Sequence, residues 1–221
     1  TADWENKYKD RPPKPEGLLQ QIYTAGDLLS GAGYHCQSVE GMEADDVIAS
    51  YAVQFPGRVT ILSPDKDMHQ CLNGKKCNQL LDTDWSEENG HTYRWLVEKP
   101  QLDEDGNKRK PPADSEVLDL LSKTGLTPSQ FLQAQIIMGD TTDGVKGAPG
   151  IGEVGAKNLI TTFGSAKAAI QAAKDEDERL LSMNRGRKMA SGLLELDLVY
   201  EATCRLVTLR NDLNVLFCTR I

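Results

Sequence analysis

Gly41-Met42-Glu43-Ala44-Asp45-Asp46-Val47-Ile48-Ala49-Ser50-Tyr51-Ala52-Val53-Gln54, then Phe55-Pro56-Gly57, then Arg58-Val59-Thr60-Ile61-Leu62-Ser63-Pro64-Asp65-Lys66-Asp67, is the stretch from which the fold is read. Val47, Ile48 and Tyr51 recur at helical spacing, so residues 44–54 are expected to form a helix that the Pro56-Gly57 pair stops. The β-rich run 58–62 reads as a short, buried strand of the kind parallel sheets use. Upstream, Leu18, Leu19, Ile22, Leu28 and Leu29 give residues 16–32 a helical pattern closed by Gly31 and Gly33, and 34–39 is short enough for another strand. Helix, strand, helix, strand in this rhythm implies βαβ crossovers. The expected fold is therefore α/β, a parallel sheet flanked by helices, with ligands gathering at the carboxyl ends of the strands.

Downstream, 101–112 is charged, Pro-bounded and aperiodic, which predicts an exposed insertion. From Ala113 onward the pattern is mostly helical, through 131–138, 156–163 and 189–200, and 206–209 is expected to return to the sheet edge. The expected division is residues 1–125 as the α/β core, 126–205 as a helical subdomain and 206–221 as a return segment.

With 39% hydrophobic and 26% charged residues over 221 positions, the composition is that of a packed globular protein. No apolar run approaches the length of a membrane span. Cys36, Cys71, Cys77, Cys204 and Cys218 form no CxxC pair, which argues against zinc, and their odd number fits a reducing, cytoplasmic setting. His35, His69 and His91 are scattered, which argues against a triad hydrolase. The net charge of −8 argues against nucleic acid as partner, but positive charge gathers at Lys7, Lys9, Arg11 and Lys14, at Lys108, Arg109 and Lys110, and at Arg185, Arg187 and Lys188. Any one of these clusters taken alone reads as a solvated face.

Three acidic groups carry the chemistry: Glu43, Asp45 and Asp46 at a helix start, Asp65 and Asp67 just past a strand, and Asp140 and Asp143 after a helix. Carboxylates in a first helical turn are also explained by the helix dipole, which accounts equally well for Glu43, Asp45 and Asp46. It does not account for two more at the functional edge of a sheet. Carboxylates brought together stay ionised only with cations among them, and an all-oxygen set suits hard ions such as Mg²⁺ or Mn²⁺. A second signal is Gly147-Ala148-Pro149-Gly150-Ile151-Gly152, followed by Gly155, Ala156 and Lys157. Glycines at these positions permit close approach, and the free N–H groups of the helix that follows make a phosphate cradle; the alternative is a plain tight turn between helices.

Taken in order, Gly41 to Ile48, Ser63 to Gln70, Gly139 to Val145 and Gly147 to Ile160 resemble the 5′-nuclease domain of bacterial DNA polymerase I and its relatives, the flap endonucleases. The resemblance implies a PIN-like α/β nuclease core with a helix-hairpin-helix (H3TH) subdomain. It implies metal-dependent 5′-3′ exonuclease or flap endonuclease activity in DNA replication and repair, on 5′ flaps, nicks or free 5′ ends. By the same resemblance, Glu43, Asp45 and Asp65 would hold one divalent metal, Asp67, Asp140 and Asp143 would hold or orient a second, and Asp46 would support them. Gly147, Gly150, Ile151, Gly152, Gly155 and Lys157 would grip the DNA backbone, with K⁺ bridging hairpin carbonyls to a phosphate. The run Lys7-Tyr8-Lys9-Asp10-Arg11-Pro12-Pro13 is similar to the basic entry of the family's helical arch, with Lys7, Lys9 and Arg11 as DNA contacts. A monomer in the nucleoid, fused to or acting with a DNA polymerase, is the implied setting.

Family members also carry two strand-borne aspartates that would lie upstream of Thr1. The expectation is that the chain is a fragment of a longer nuclease or is inactive. Two other readings stand beside the nuclease: a non-catalytic module selective for branched DNA, and a ribonuclease of the PIN-like group.

Overall fold

The computed structural model describes residues 15–73, 76–86, 90–98 and 116–217. Lys7, Lys9 and Arg11, the 101–112 insertion with Lys108, Arg109 and Lys110, and Cys218 lie outside the described residues.

Helix α1 spans Leu18–Gly31 and helix α2 Ala44–Gln54. In α2, Asp45 and Asp46 meet the positive end of the helix dipole, and the chain leaves at Phe55, whose extended backbone is what a following proline imposes. Strand β1 (Val59–Leu62) then pairs in parallel with β2 (Cys77–Ser86). A 3-10 turn, Lys66–Cys71, joins them and buries Met68 and His69. Strand β3 (Gly90–Val97) runs antiparallel to β2, and β4 (Glu116–Asp119) parallel to β3, giving one four-stranded sheet in the order β1-β2-β3-β4.

The α/β architecture is as the sequence implies, with the sheet mixed rather than all-parallel because β2 and β3 form a hairpin. Residues 34–39 form no strand: this segment is largely exposed and has no β partner among the described residues. Residues 206–209 do not form a sheet edge either. Leu206 and Val207 end the helix Tyr200–Val207, and Leu209 packs against a small core of Ala52, Ile61, Met68 and Cys77.

After α3 (Leu120–Thr124), Thr127 caps α4 (Pro128–Met138) in a reciprocal box with Gln130, and Pro128 enters the first turn, where no N–H is needed. Two short strands, β5 (Gly139–Asp140) and β6 (Val145–Lys146), pinch a loop. The helices α5 (Glu153–Phe163), α6 (Ala166–Lys174), α7 (Glu178–Leu181), α8 (Gly186–Asp197) and α9 (Tyr200–Val207) complete the chain.

Apolar side chains of α4, α5, α6 and α8 form the largest core, with Ile137, Leu159, Ile160 and Leu193 fully buried. Each such side chain contributes roughly 1.5–3 kcal/mol relative to exposure. A smaller core of Ala52, Ile61, Met68 and Cys77 fixes α2 and the 3-10 turn against β1. The tail from Arg210 to Phe217 straps across α2: Gln54 Nε2 donates to the carbonyls of Asn211 (3.1 Å) and Leu213 (2.8 Å), and Phe217 meets Tyr51 edge-on. Among the described residues no helix is long and apolar enough to cross a membrane.

Candidate active site

The loop after β1 is fixed from below by one buried amide. Gln79 on β2 is fully buried; its Nε2 donates to the carbonyls of Ser63 (2.8 Å) and Asp65 (2.7 Å), and its Oε1 accepts from His69 Nδ1 (2.8 Å). Both of that amide's donors and its carbonyl are engaged on the segment that carries the acidic pair. Above it, Asp65 Oδ1 accepts from the Asp67 N–H at 2.9 Å, capping the 3-10 turn.

The second wall comes from α4 and the pinched loop. Gln135 on α4, 4% exposed, donates from Nε2 to Asp67 Oδ1 at 2.6 Å, while its Oε1 is buried without a partner. Asp140 Oδ1 accepts from the N–H groups of Thr142 (2.8 Å) and Asp143 (3.4 Å). Asp140 Oδ2 pairs with Lys66 Nζ at 2.9 Å. Burial pushes the Asp67 carboxyl above its usual range; Gln135 opposes that rise, and the charges of Asp65 and Asp140 add to it. Burial would also raise Asp140, but the Lys66 ammonium and the two backbone donors outweigh it and hold Asp140 below the usual carboxylate range.

Asp65, Asp67 and Asp140 therefore lie together around Lys66, close enough to act on one another's charge. The α2 carboxylates are placed differently. Asp46 Oδ1 accepts from the Arg210 N–H at 2.8 Å and so ties the C-terminal strap to α2. Asp45 sits near enough to the 3-10 turn to help raise the Cys71 thiol, which burial chiefly pushes up to about 12. Glu43 is the N-cap residue of α2 and makes no side-chain cap. Asp143 contributes its N–H to Asp140. Among the described residues, no group of three or more His, Cys, Asp or Glu side chains is placed so that it could hold a metal ion. The donor chemistry nonetheless fits a hard cation: oxygen-only ligands, an Asp67 carboxyl raised first by burial and further by the charges of Asp65 and Asp140, and a Gln135 carbonyl without a partner. Sequence reasoning missed Gln135, Gln79 and the role of Lys66; none has a pattern signal, since each acts through a tertiary contact.

The glycine hairpin is mounted on the same loop. At Gly139 (φ 70°) a Cβ would collide with the Gly147 amide nitrogen and the Val145 carbonyl, and at Gly147 with the Met138 carbonyl, so only glycines let the loop close here. That closure puts Asp140 at one end of the pinch and the 147–152 turn at the other. Ile151 is buried and its N–H bonds the Ala148 carbonyl at 3.2 Å, so its side chain anchors the turn. Gly155 packs against Ile151 and Met189, and Gly192 of α8 against the Pro149 carbonyl. Gly152 caps α5 without a side-chain bond, leaving the first N–H groups of that helix to outside partners. A cleft of about 370 Å³ opens here, lined by Gly150, Gly152, Glu153, Asn158, Asn184 and Arg185. The Lys188 stem lies over Gly150, which brings part of the third basic cluster to the hairpin, whereas the Lys157 stem turns back to Gly125.

Two protein-family models match the chain: the 5′-3′ exonuclease N-terminal resolvase-like domain over residues 2–99, and the 5′-3′ exonuclease C-terminal SAM fold over residues 126–219. Among curated relatives, the chain is 36% identical over 165 residues to a DNA polymerase I of Helicobacter pylori, covering 74% of this chain and 15% of that one. It is 28% identical over 180 residues to a 5′-3′ exonuclease of Streptomyces coelicolor, covering 81% of this chain and 52% of that one. The chain thus spans about half of that exonuclease and a small part of the polymerase.

Among solved structures, the T5 D15 protein co-crystallised with metal ions superposes with a TM-score of 0.53 at 18% identity, over 93% of this chain and 70% of that one. The catalytic core of Rad2 in complex with DNA substrate gives 0.52 at 15% identity, over 95% and 61%. At these identities the likeness establishes the fold. With the N-terminal and C-terminal models of one family matched in sequence order over most of its length, the chain belongs to the 5′-3′ exonuclease family.

Proposed function

We propose that the chain acts as a metal-dependent 5′-nuclease on DNA, hydrolysing phosphodiesters at 5′ flaps, nicks or free 5′ ends. The observation that carries this reading is the Gly139–Gly147 pinch, which joins Asp140 and the 147–152 turn through one short, closed loop. A duplex whose backbone rests on the hairpin N–H groups, with Lys188 and Arg185 beside them, extends from there toward Asp140. The hairpin then fixes position without reading sequence. In the crevice Asp65, Asp67 and Asp140 would hold divalent metal, Mg²⁺ or Mn²⁺, with Glu43, Asp45 and Asp143 as further ligands and Asp46 in support. When bound, such ions lower the pKa of water and stabilise the charge of an in-line displacement. Gln79 holds the Asp65 backbone, Gln135 orients the Asp67 carboxylate, and the Thr142 and Asp143 amides aim Asp140. K⁺ at the hairpin carbonyls, contacts from Gly147, Gly150, Gly152, Gly155 and Lys157, a basic entry at Lys7, Lys9 and Arg11, a monomeric state in the cytoplasm and a polymerase as partner belong to the same reading. So does the division into 1–125, 126–205 and 206–221, which the separate cores favour.

The test is cleavage of a 5′-labelled flap in Mg²⁺, with chelator as control. Asp65→Asn with Asp67→Asn is expected to abolish product while flap binding persists, and full cutting by that double variant would refute the reading. The lack, among the described residues, of three or more His, Cys, Asp or Glu side chains placed to hold a metal ion favours one other reading, a non-catalytic module for branched DNA. It predicts salt-sensitive flap binding with no product in Mg²⁺ or Mn²⁺.

A further inference from the structure

Asp140 has no uncommitted oxygen. Its Oδ1 is shared by the Thr142 and Asp143 N–H groups, and its Oδ2 is taken by the Lys66 ammonium at 2.9 Å. The same ammonium lies within the fields of Asp65 and Asp67, so one side chain supplies the positive charge that three carboxylates require. Its position is asymmetric: the Asp140 side chain is 15% exposed, the Lys66 side chain 55%. A flexible four-carbon stem anchored in the 3-10 turn can therefore withdraw into solvent while Asp140 stays in place.

We propose that Lys66 is the resident counter-ion of the crevice, a positioning residue that locks Asp140 to the Asp65–Asp67 turn in the metal-free chain and is displaced when a divalent cation binds. This rests on the nuclease reading of the crevice and adds a regulation of it. A cation approaching Asp140 Oδ2 meets the Lys66 ammonium already there and is opposed by its charge, so Lys66 lowers metal affinity and suppresses loading when metal is scarce. The lock also joins the sheet side of the crevice, through the 3-10 turn, to the helical side, through the loop after α4.

The test uses Mn²⁺ itself as the probe, read from the electron paramagnetic resonance signal of unbound ion, on the wild type, Lys66→Met and Lys66→Arg, with metal-free thermal unfolding alongside. Losing a half-exposed ion pair corresponds to about a fivefold tightening of Mn²⁺ binding by Lys66→Met, with a slightly lower metal-free Tm. Lys66→Arg, which keeps the pair, is expected to retain wild-type affinity. A merely structural lysine would give the opposite sign, because a disorganised crevice binds metal more weakly. Unchanged or weaker binding by Lys66→Met, with the wild type binding Mn²⁺, overturns the lock and leaves the nuclease reading standing. Binding by Lys66→Met alone supports the lock in its strongest form. Binding by none of the three proteins removes the metal-dependent reading and the lock with it.

Discussion

Replacing Gln135 by leucine separates orientation of the crevice from stability of the fold. The substitution removes the 2.6 Å donation to Asp67 Oδ1, and it also removes Oε1, a buried carbonyl that has no partner. A hydrogen bond to a charged acceptor contributes about 1.5–3 kcal/mol, and relief of an unsatisfied buried acceptor returns about 1–3 kcal/mol. With side-chain volume nearly conserved, the two effects offset, and the net change is expected to stay within about 1.5 kcal/mol, a Tm shift of up to about 6 °C for a chain of this size. The metal is a different matter. Asp67 loses the donor that opposes its elevated pKa and fixes its carboxylate, and losing an outer-shell partner weakens metal binding by about 10- to 100-fold. Calorimetric titration with Mn²⁺, next to thermal unfolding of the same samples, reads both quantities. Wild-type affinity in a folded Gln135→Leu protein would refute the assignment of Gln135 as the residue that orients Asp67. A Tm loss far above the expected shift would refute the claim that its carbonyl is unsatisfied.

Gln79→Leu is the contrasting case. Both amide groups of Gln79 are engaged, so the substitution orphans the Ser63 and Asp65 carbonyls and the His69 ring N–H, at about 1–3 kcal/mol each. Thermal unfolding should show a Tm lower by roughly 6 °C or more, and a neutral outcome would contradict the described hydrogen bonding. His69 gives a pH dependence. Burial holds its pKa below 6.5, with Gln79 opposing and Lys123 reinforcing the shift, so the folded chain binds fewer protons than the unfolded one. The sign follows: its contribution is fully present above about pH 6.5 and is lost as pH falls from there through the lowered folded value. Denaturant titrations across that window should show falling stability in the wild type and a flatter profile in His69→Asn, which keeps a donor for Gln79.

Much of the frame was legible because local physics and the fold agree. The helix over 44–54 coincides with α2, since a first turn rich in carboxylates and a Pro-Gly stop leave little choice at either end. Gly147 makes the close approach that only glycine allows, and Asp65 and Asp140 lie near enough to Asp67 to act on its charge. The antiparallel pairing of β2 with β3 was missed because the regular helix-strand alternation before it invited a parallel continuation. Residues 34–39 lack the buried alternation that makes a strand, and Leu206 and Val207 end a helix because α9 packs across the pinched loop, with Thr203 Oγ1 donating to the Lys146 carbonyl. Asp46 was ambiguous in sequence, since a first-turn carboxylate serves a dipole, a metal or a neighbouring segment equally well; its bond to the Arg210 N–H is visible only once the tail is folded back. Gln79 and Gln135 are neutral side chains within mostly apolar runs, and their importance exists only in three dimensions.

The central claim is that carboxylates from two separate stretches share a cation. Crystals grown with Mn²⁺ and measured at the manganese absorption edge test it most directly. An anomalous peak at coordination distance, about 2.0–2.6 Å, from oxygens of both Asp67 and Asp140, with the Lys66 ammonium withdrawn, is the predicted result. Fully loaded crystals whose only manganese peaks lie away from Asp65, Asp67 and Asp140 would contradict it.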